Sequence, residues 1–221
     1  MAGGRGSRKW LLALLVIASV SVLVACGGED APALAGTDLQ ELPSPGFALV
    51  DQRGQAVSLA DLRGQAVALT FIYTSCPDVC PLIAVKMRDA YQRLSPDDRA
   101  LVALVAITVD PERDTAEALR AFSAQHGLDD NPNWFALTGE RAALASVWKN
   151  YGIEPGDFVH EANHAEGHAT VPAEHHAAAS PEMLGHTDAI YFIDPEGRER
   201  ALLRGDAAPE AIADNLEFLI D

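Results

Sequence analysis

Two long runs, apolar but for one threonine each, constrain this chain more than anything else in it. Ala66–Tyr73 reads AVALTFIY and Leu101–Val109 reads LVALVAITV. Side chains alternate across a strand, so a strand apolar at nearly every position is buried on both faces. Between the runs, Ile83, Met87, Ala90, Tyr91 and Leu94 recur at helical spacing and predict a helix from about Val79 to Leu94.

The remainder alternates in the same way. Phe47–Val50 and Ala56–Leu59 flank Asp51-Gln52-Arg53-Gly54, a hairpin turn. Asp114 and Glu117 have the spacing of a capping box for a helix running to about His126. Trp134–Leu137 reads as a short strand and Glu140–Tyr151 as a helix. Asp188–Ile193 and Ala201–Arg204 form a last hairpin around Pro195-Glu196-Gly197, and Pro209–Ile220 is the closing helix. The expected class is α/β, a mixed central sheet flanked by helices on both faces, and a thioredoxin-like order fits best.

The first 46 residues are of another kind. Trp10–Ala25 is apolar except for Ser19 and Ser21 and follows Arg5, Arg8 and Lys9, the layout of a bacterial export signal. The run is short for a spanning helix, which needs roughly 20 apolar residues. It ends in Leu23-Val24-Ala25-Cys26 followed by two glycines, and so resembles the lipobox of bacterial lipoproteins. That resemblance implies cleavage after residue 25 and lipid on Cys26. The alternative is an uncleaved signal anchor. Either places the domain outside the cytoplasmic membrane, where disulfides persist. Residues 26–46, rich in Gly, Pro and acids, read as a flexible tether, with the folded domain at 47–221. With 32 acidic against 16 basic residues the net charge is −16, which excludes a nucleic-acid partner.

Cys76 and Cys80 remain, separated by Pro77-Asp78-Val79, where a buried strand meets a helix N-terminus. Residues i and i+4 of a helix have Cα atoms about 6 Å apart, within the range of a disulfide. The two thiols can therefore bridge, or both can face one ion. Unpaired N–H groups and the helix dipole lower the pKa of at least one of them. A merely stabilising disulfide is the plain alternative, although so short a loop restricts the unfolded chain little.

FIYTSCPDVCP, ITVDPERDT, LTG at Leu137–Gly139 and GHTDAIYFIDPEGR, in this order, resemble the Sco/SenC family. The resemblance implies a membrane-tethered thioredoxin-like domain that binds copper through two cysteines and a distal histidine. Its role would be to deliver copper to the CuA centre in the copper-bearing subunit of cytochrome c oxidase. Carried onto this chain, the ligands are Cys76, Cys80 and His186. Two thiolates suit Cu(I), and an added imidazole suits Cu(II). One departure stands out: the family has Asp before this histidine, whereas here the residue is Gly185. Asp188 or Asp110 are the candidates to replace it. The runner-up is a thiol–disulfide reductase acting through Cys76 and Cys80 on the oxidase's copper-ligand cysteines. A peroxidase using Cys76 is a distant third.

Residues 157–181 hold five of the seven histidines, His160, His164, His168, His175 and His176. The first three are four apart, so one helical turn would align them for auxiliary metal binding. The alternative is a solvated insertion.

Overall fold

The computed structural model describes residues 33–154 and 188–221. Cys26, the run Trp10–Ala25, the five clustered histidines and His186 lie outside them. Among the described residues no helix is long and apolar enough to cross a membrane.

The strands are β1 (Thr37–Pro43), β2 (Ala48–Asp51), β3 (Ala56–Ser58), β4 (Ala66–Ile72), β5 (Val102–Thr108), β6 (Trp134–Thr138), β7 (Ala189–Ile193) and β8 (Arg198–Arg204). The helices are α1 (Val79–Arg93), the single turn α2 (Pro96–Arg99), α3 (Ala116–Gln125), α4 (Arg141–Asn150) and α5 (Pro209–Ile220). Among the described residues the strands make one sheet in the order β1-β8-β7-β4-β5-β6-β2-β3. β4, β5 and β6 are parallel, and every other pairing is antiparallel. This is the mixed α/β sheet expected from the alternation of elements.

All seven residues of β4 and all seven of β5 are buried, so both faces of the sheet centre are covered. α1 turns Ile83, Ala84, Met87 and Ala90 inward and packs against α5. Ile83 and Met87 have no exposed surface. Together they contribute about 3–6 kcal/mol relative to exposure. Phe71, Tyr151 and Tyr191 meet edge to face, with ring centroids 5.2–6.3 Å apart. Tyr191 donates to the Tyr151 carbonyl, 3.0 Å, which ties β7 to the end of α4.

One segment departs from the sequence reading. Thr37–Pro43, read there as part of the tether, is strand β1, paired antiparallel to β8, and the compact unit begins at Leu34 rather than near Phe47. Apart from Leu39, β1 is exposed along its length, so it has no alternating apolar face to reveal it. A register shift between Asp38 and Leu42, with Gln40 and Glu41 at positive φ, breaks it further. It is held from outside. Asn215 of α5, itself buried, accepts from the Ala35 N–H at 2.7 Å and donates to the Ala35 carbonyl at 3.0 Å. Next to it Gly36 passes so close to β8 that a Cβ would lie 2.3 Å from the Leu202 carbonyl oxygen.

Candidate metal centre

β4 delivers the chain to the site. Beyond Ile72 the backbone turns, with the Cys76 N–H donating to the Tyr73 carbonyl at 3.1 Å. Ser75, Pro77 and Asp78 are exposed, Cys76 is partly exposed, and Cys80 is buried in the first turn of α1. The first N–H groups of a helix have no partner within it. Here the Cys80 N–H is aimed at the Cys76 sulfur, 3.4 Å away.

The pair is a dithiol whose two sulfurs are driven apart in acidity. The Cys80 thiol donates to Cys76, and backbone N–H groups of Cys80 and Asp78 add to it. Against some burial, these bring Cys76 down to about 5. Cys80 moves the opposite way, because giving up its proton would lose that bond and place a second charge in a buried site. One proton is therefore shared by two sulfurs, and the more accessible sulfur carries the charge.

The loop is fixed from behind by Asp114. This residue does not cap α3 as the local pattern suggested. Thr115 does, accepting from the Ala118 N–H at 3.2 Å. The Asp114 side chain points inward with no exposed surface. It accepts from the Thr74 N–H at 3.0 Å and from the Thr74 and Thr108 hydroxyls at 2.5 Å each. Burial, the largest influence, raises its pKa, and the three donors oppose that rise. Thr108 in turn accepts from the Asp110 N–H at 2.9 Å, and its carbonyl accepts from the Trp148 indole at 2.9 Å. The Asp110 carboxylate itself is paired with Arg113.

The structure thus brings Cys76 and Cys80 together. Among the described residues no group of three or more His, Cys, Asp or Glu could hold a metal. β7 pairs antiparallel with β4, Ile190 opposite Thr70, so the chain begins β7 at the end of the sheet where β4 opens into the cysteine loop. Gly205 makes room there. A Cβ on it would lie 2.4 Å from the Asp188 carbonyl oxygen and 2.6 Å from the Ile83 side chain. Thr74, Thr108 and the inward role of Asp114 were not identified from the sequence. Their only signal was that TSCPDVCP and VDPERDT both follow a buried strand.

Residues 36–221 match the SCO1/SenC family. The chain belongs to that family. Its curated relatives include the mouse mitochondrial SCO2 homolog, 32% identical over 158 residues, which cover 68% of this chain and 52% of the mouse protein. Among solved structures, Bradyrhizobium japonicum ScoI with copper bound is 26% identical, with a TM-score of 0.55 over 80% of this chain and 99% of its own. BsSco, described as a member of the Sco family of cytochrome c oxidase assembly proteins with a disulfide switch, is 23% identical. It shares the fold at a TM-score of 0.59, over 84% of this chain and 96% of its own. The SCO1/SenC fold of this chain is thioredoxin-like, with Cys76 and Cys80 where the strand β4 passes into helix α1.

Proposed function

We propose that this protein carries copper for the assembly of cytochrome c oxidase, holding the ion on Cys76, Cys80 and His186 and passing it to the CuA centre of the oxidase's copper-bearing subunit. The observation that carries the reading is the sulfur pair. The Cys76 thiolate lies partly exposed in the loop just before α1, and the Cys80 thiol and N–H are both hydrogen-bonded to it. Soft sulfur donors suit Cu(I), and the sheet register supports an imidazole from just before β7 for Cu(II). Only two residues separate His186 from Ala189, a span of about 10 Å when extended. Copper titration of the reduced protein tests this. About one tight copper per chain is expected, with a sulfur-to-metal charge-transfer band for Cu(II). Cys76→Ala or Cys80→Ala abolishes the site, and His186→Ala weakens Cu(II) selectively. A reduced protein that takes up no tight copper would sink the reading.

The difference between the two sulfurs also favours a second reading, thiol–disulfide reduction of the oxidase's copper-ligand cysteines. The partly exposed Cys76 thiolate would attack a disulfide between the oxidase cysteines and release one of them as a thiol. Cys80, giving up its proton, would then displace the other and leave the pair as the Cys76–Cys80 disulfide. His186→Ala separates the two, since exchange needs only the thiols.

The protein acts from the extracytoplasmic face of the bacterial cell membrane, tethered by lipid on Cys26 after loss of residues 1–25. Mass spectrometry finding a mature chain with unmodified Cys26 would remove this. His160, His164, His168, His175 and His176 serve as auxiliary metal ligands. A weak class of copper sites is then present at pH 7.5 and gone by about pH 5.5, because imidazolium does not bind. Replacing all five by Asn deletes it, and unchanged stoichiometry and loading rate would return the stretch to a solvated insertion.

A further inference from the structure

We infer that Asp114 is a positioning residue for the cysteine pair, holding the Cys76 loop at the distance from Cys80 that both copper binding and disulfide closure require. The inference rests on the copper-and-thiol reading of the same site. Thr74 stands two residues before Cys76 and is fastened to Asp114 through both its N–H and its hydroxyl. The other carboxylate oxygen is fastened to Thr108, the last residue of β5. Two loops that follow neighbouring strands are thereby joined at one buried group.

The hydrogen-bond inventory singles out a carboxylate here. The Thr108 hydroxyl oxygen already accepts from the Asp110 N–H, so its own proton goes to Asp114. All three groups turned towards Asp114 are donors, and only an acceptor on both oxygens satisfies them. In Asp114→Asn the new NH2 would face a hydroxyl that is already receiving a proton, leaving one donor unmatched in a buried place. The loop is then released from β5, and the N–H of Cys80 and the sulfur of Cys76 lose their fixed separation.

The experiment compares the full chain with Asp114→Asn, Thr74→Val and Thr74→Ser. It reads the dithiol–disulfide ratio in glutathione buffers and Cu(II) affinity by competition. Asp114→Asn is expected to shift the ratio and weaken Cu(II) by about tenfold each, the scale of a lost hydrogen bond to a charged group. Thr74→Ser keeps both donors and should behave as wild type. A purely structural role would destabilise dithiol and disulfide forms equally and leave their ratio where it was. A change below about threefold in both readouts for Asp114→Asn overturns the inference. Where circular dichroism shows that variant unfolded, Thr74→Val decides on the same threshold against Thr74→Ser. A wild-type chain that binds no copper removes the copper reading, and the glutathione ratio then judges Asp114 alone.

Discussion

The amide of Cys80 points at the sulfur of Cys76 across 3.4 Å, and the thiol of the same residue also donates to that sulfur. The buried cysteine therefore supports the exposed one twice, once through its backbone and once through its side chain. Only the second contribution can be deleted by mutation.

Cys80→Ala accordingly leaves the N–H donors in place and removes the strongest support of the thiolate. The acidity of Cys76 should move from about 5 up towards the 9.0 of an ordinary thiol. The pH profile of iodoacetamide alkylation measures it. An unchanged midpoint in Cys80→Ala would show that the backbone alone sets the value.

The same shift makes the reduced protein's stability depend on pH. Cys76 is deprotonated above about 5 in the folded state and above 9.0 when unfolded, so between these limits the unfolded chain binds the extra proton. Stability therefore rises with pH across this window and is lost as pH falls through 5. Above 9 the raised Cys80 works in the opposite sense. Half exposure to water limits the gain to about 1–2 kcal/mol. Denaturant unfolding of reduced wild type minus Cys76→Ser, at pH 5.5 and 8.5, reads it. A difference that does not grow with pH contradicts the assignment.

Asn215→Ala should cost about 2 kcal/mol, one for each hydrogen bond to Ala35. That corresponds to a fall in Tm of roughly 4–8 °C. Hydrogen exchange should show β1 losing protection before the rest of the sheet. Uniform loss across all strands would mean that β1 is not held mainly by Asn215.

Gly205→Ala drives a methyl into the Asp188 carbonyl and Ile83. Overpacking of this kind costs about 1–3 kcal/mol. Asp188 lies two residues beyond His186, so with His186 as the proposed third ligand Cu(II) affinity should fall more than Cu(I) affinity. Gly54→Ala, at φ +78 with open space around it, is the control. It should cost about 1–2 kcal/mol and leave copper untouched. Equal losses of both copper states in Gly205→Ala would break the link to His186.

What the sequence made legible was whatever depends on near neighbours. α1 and α5 could be read from apolar spacing, β4 and β5 from long apolar runs, and the two hairpins from their turns. Asp114 could not be read correctly. Its position before Glu117 mimics a cap, while the partner that captures it, Thr74, is 40 residues earlier. β1 was hidden for a different reason. All its side chains but that of Leu39 face water, and what holds it is Asn215, 180 residues away from Ala35. Of the site, the cysteine pair was visible as a motif, but which sulfur carries the charge depends on burial. Periodicity does not report that.

The single proton held between the two sulfurs has a further consequence. Before loading, the pair carries one thiolate and one thiol, a charge of minus one. A Cu(I) ion held by both sulfurs, as proposed, would displace the proton of Cys80 and restore that same charge, so loading would be a one-for-one exchange of monovalent cations. Its apparent affinity should climb about tenfold per pH unit above about pH 5, where Cys76 has already lost its proton and Cys80 still holds its own. Cu(II) instead leaves the centre one unit more positive. A docking partner would then meet the same electric field from empty and Cu(I)-filled protein, and a different one only after oxidation.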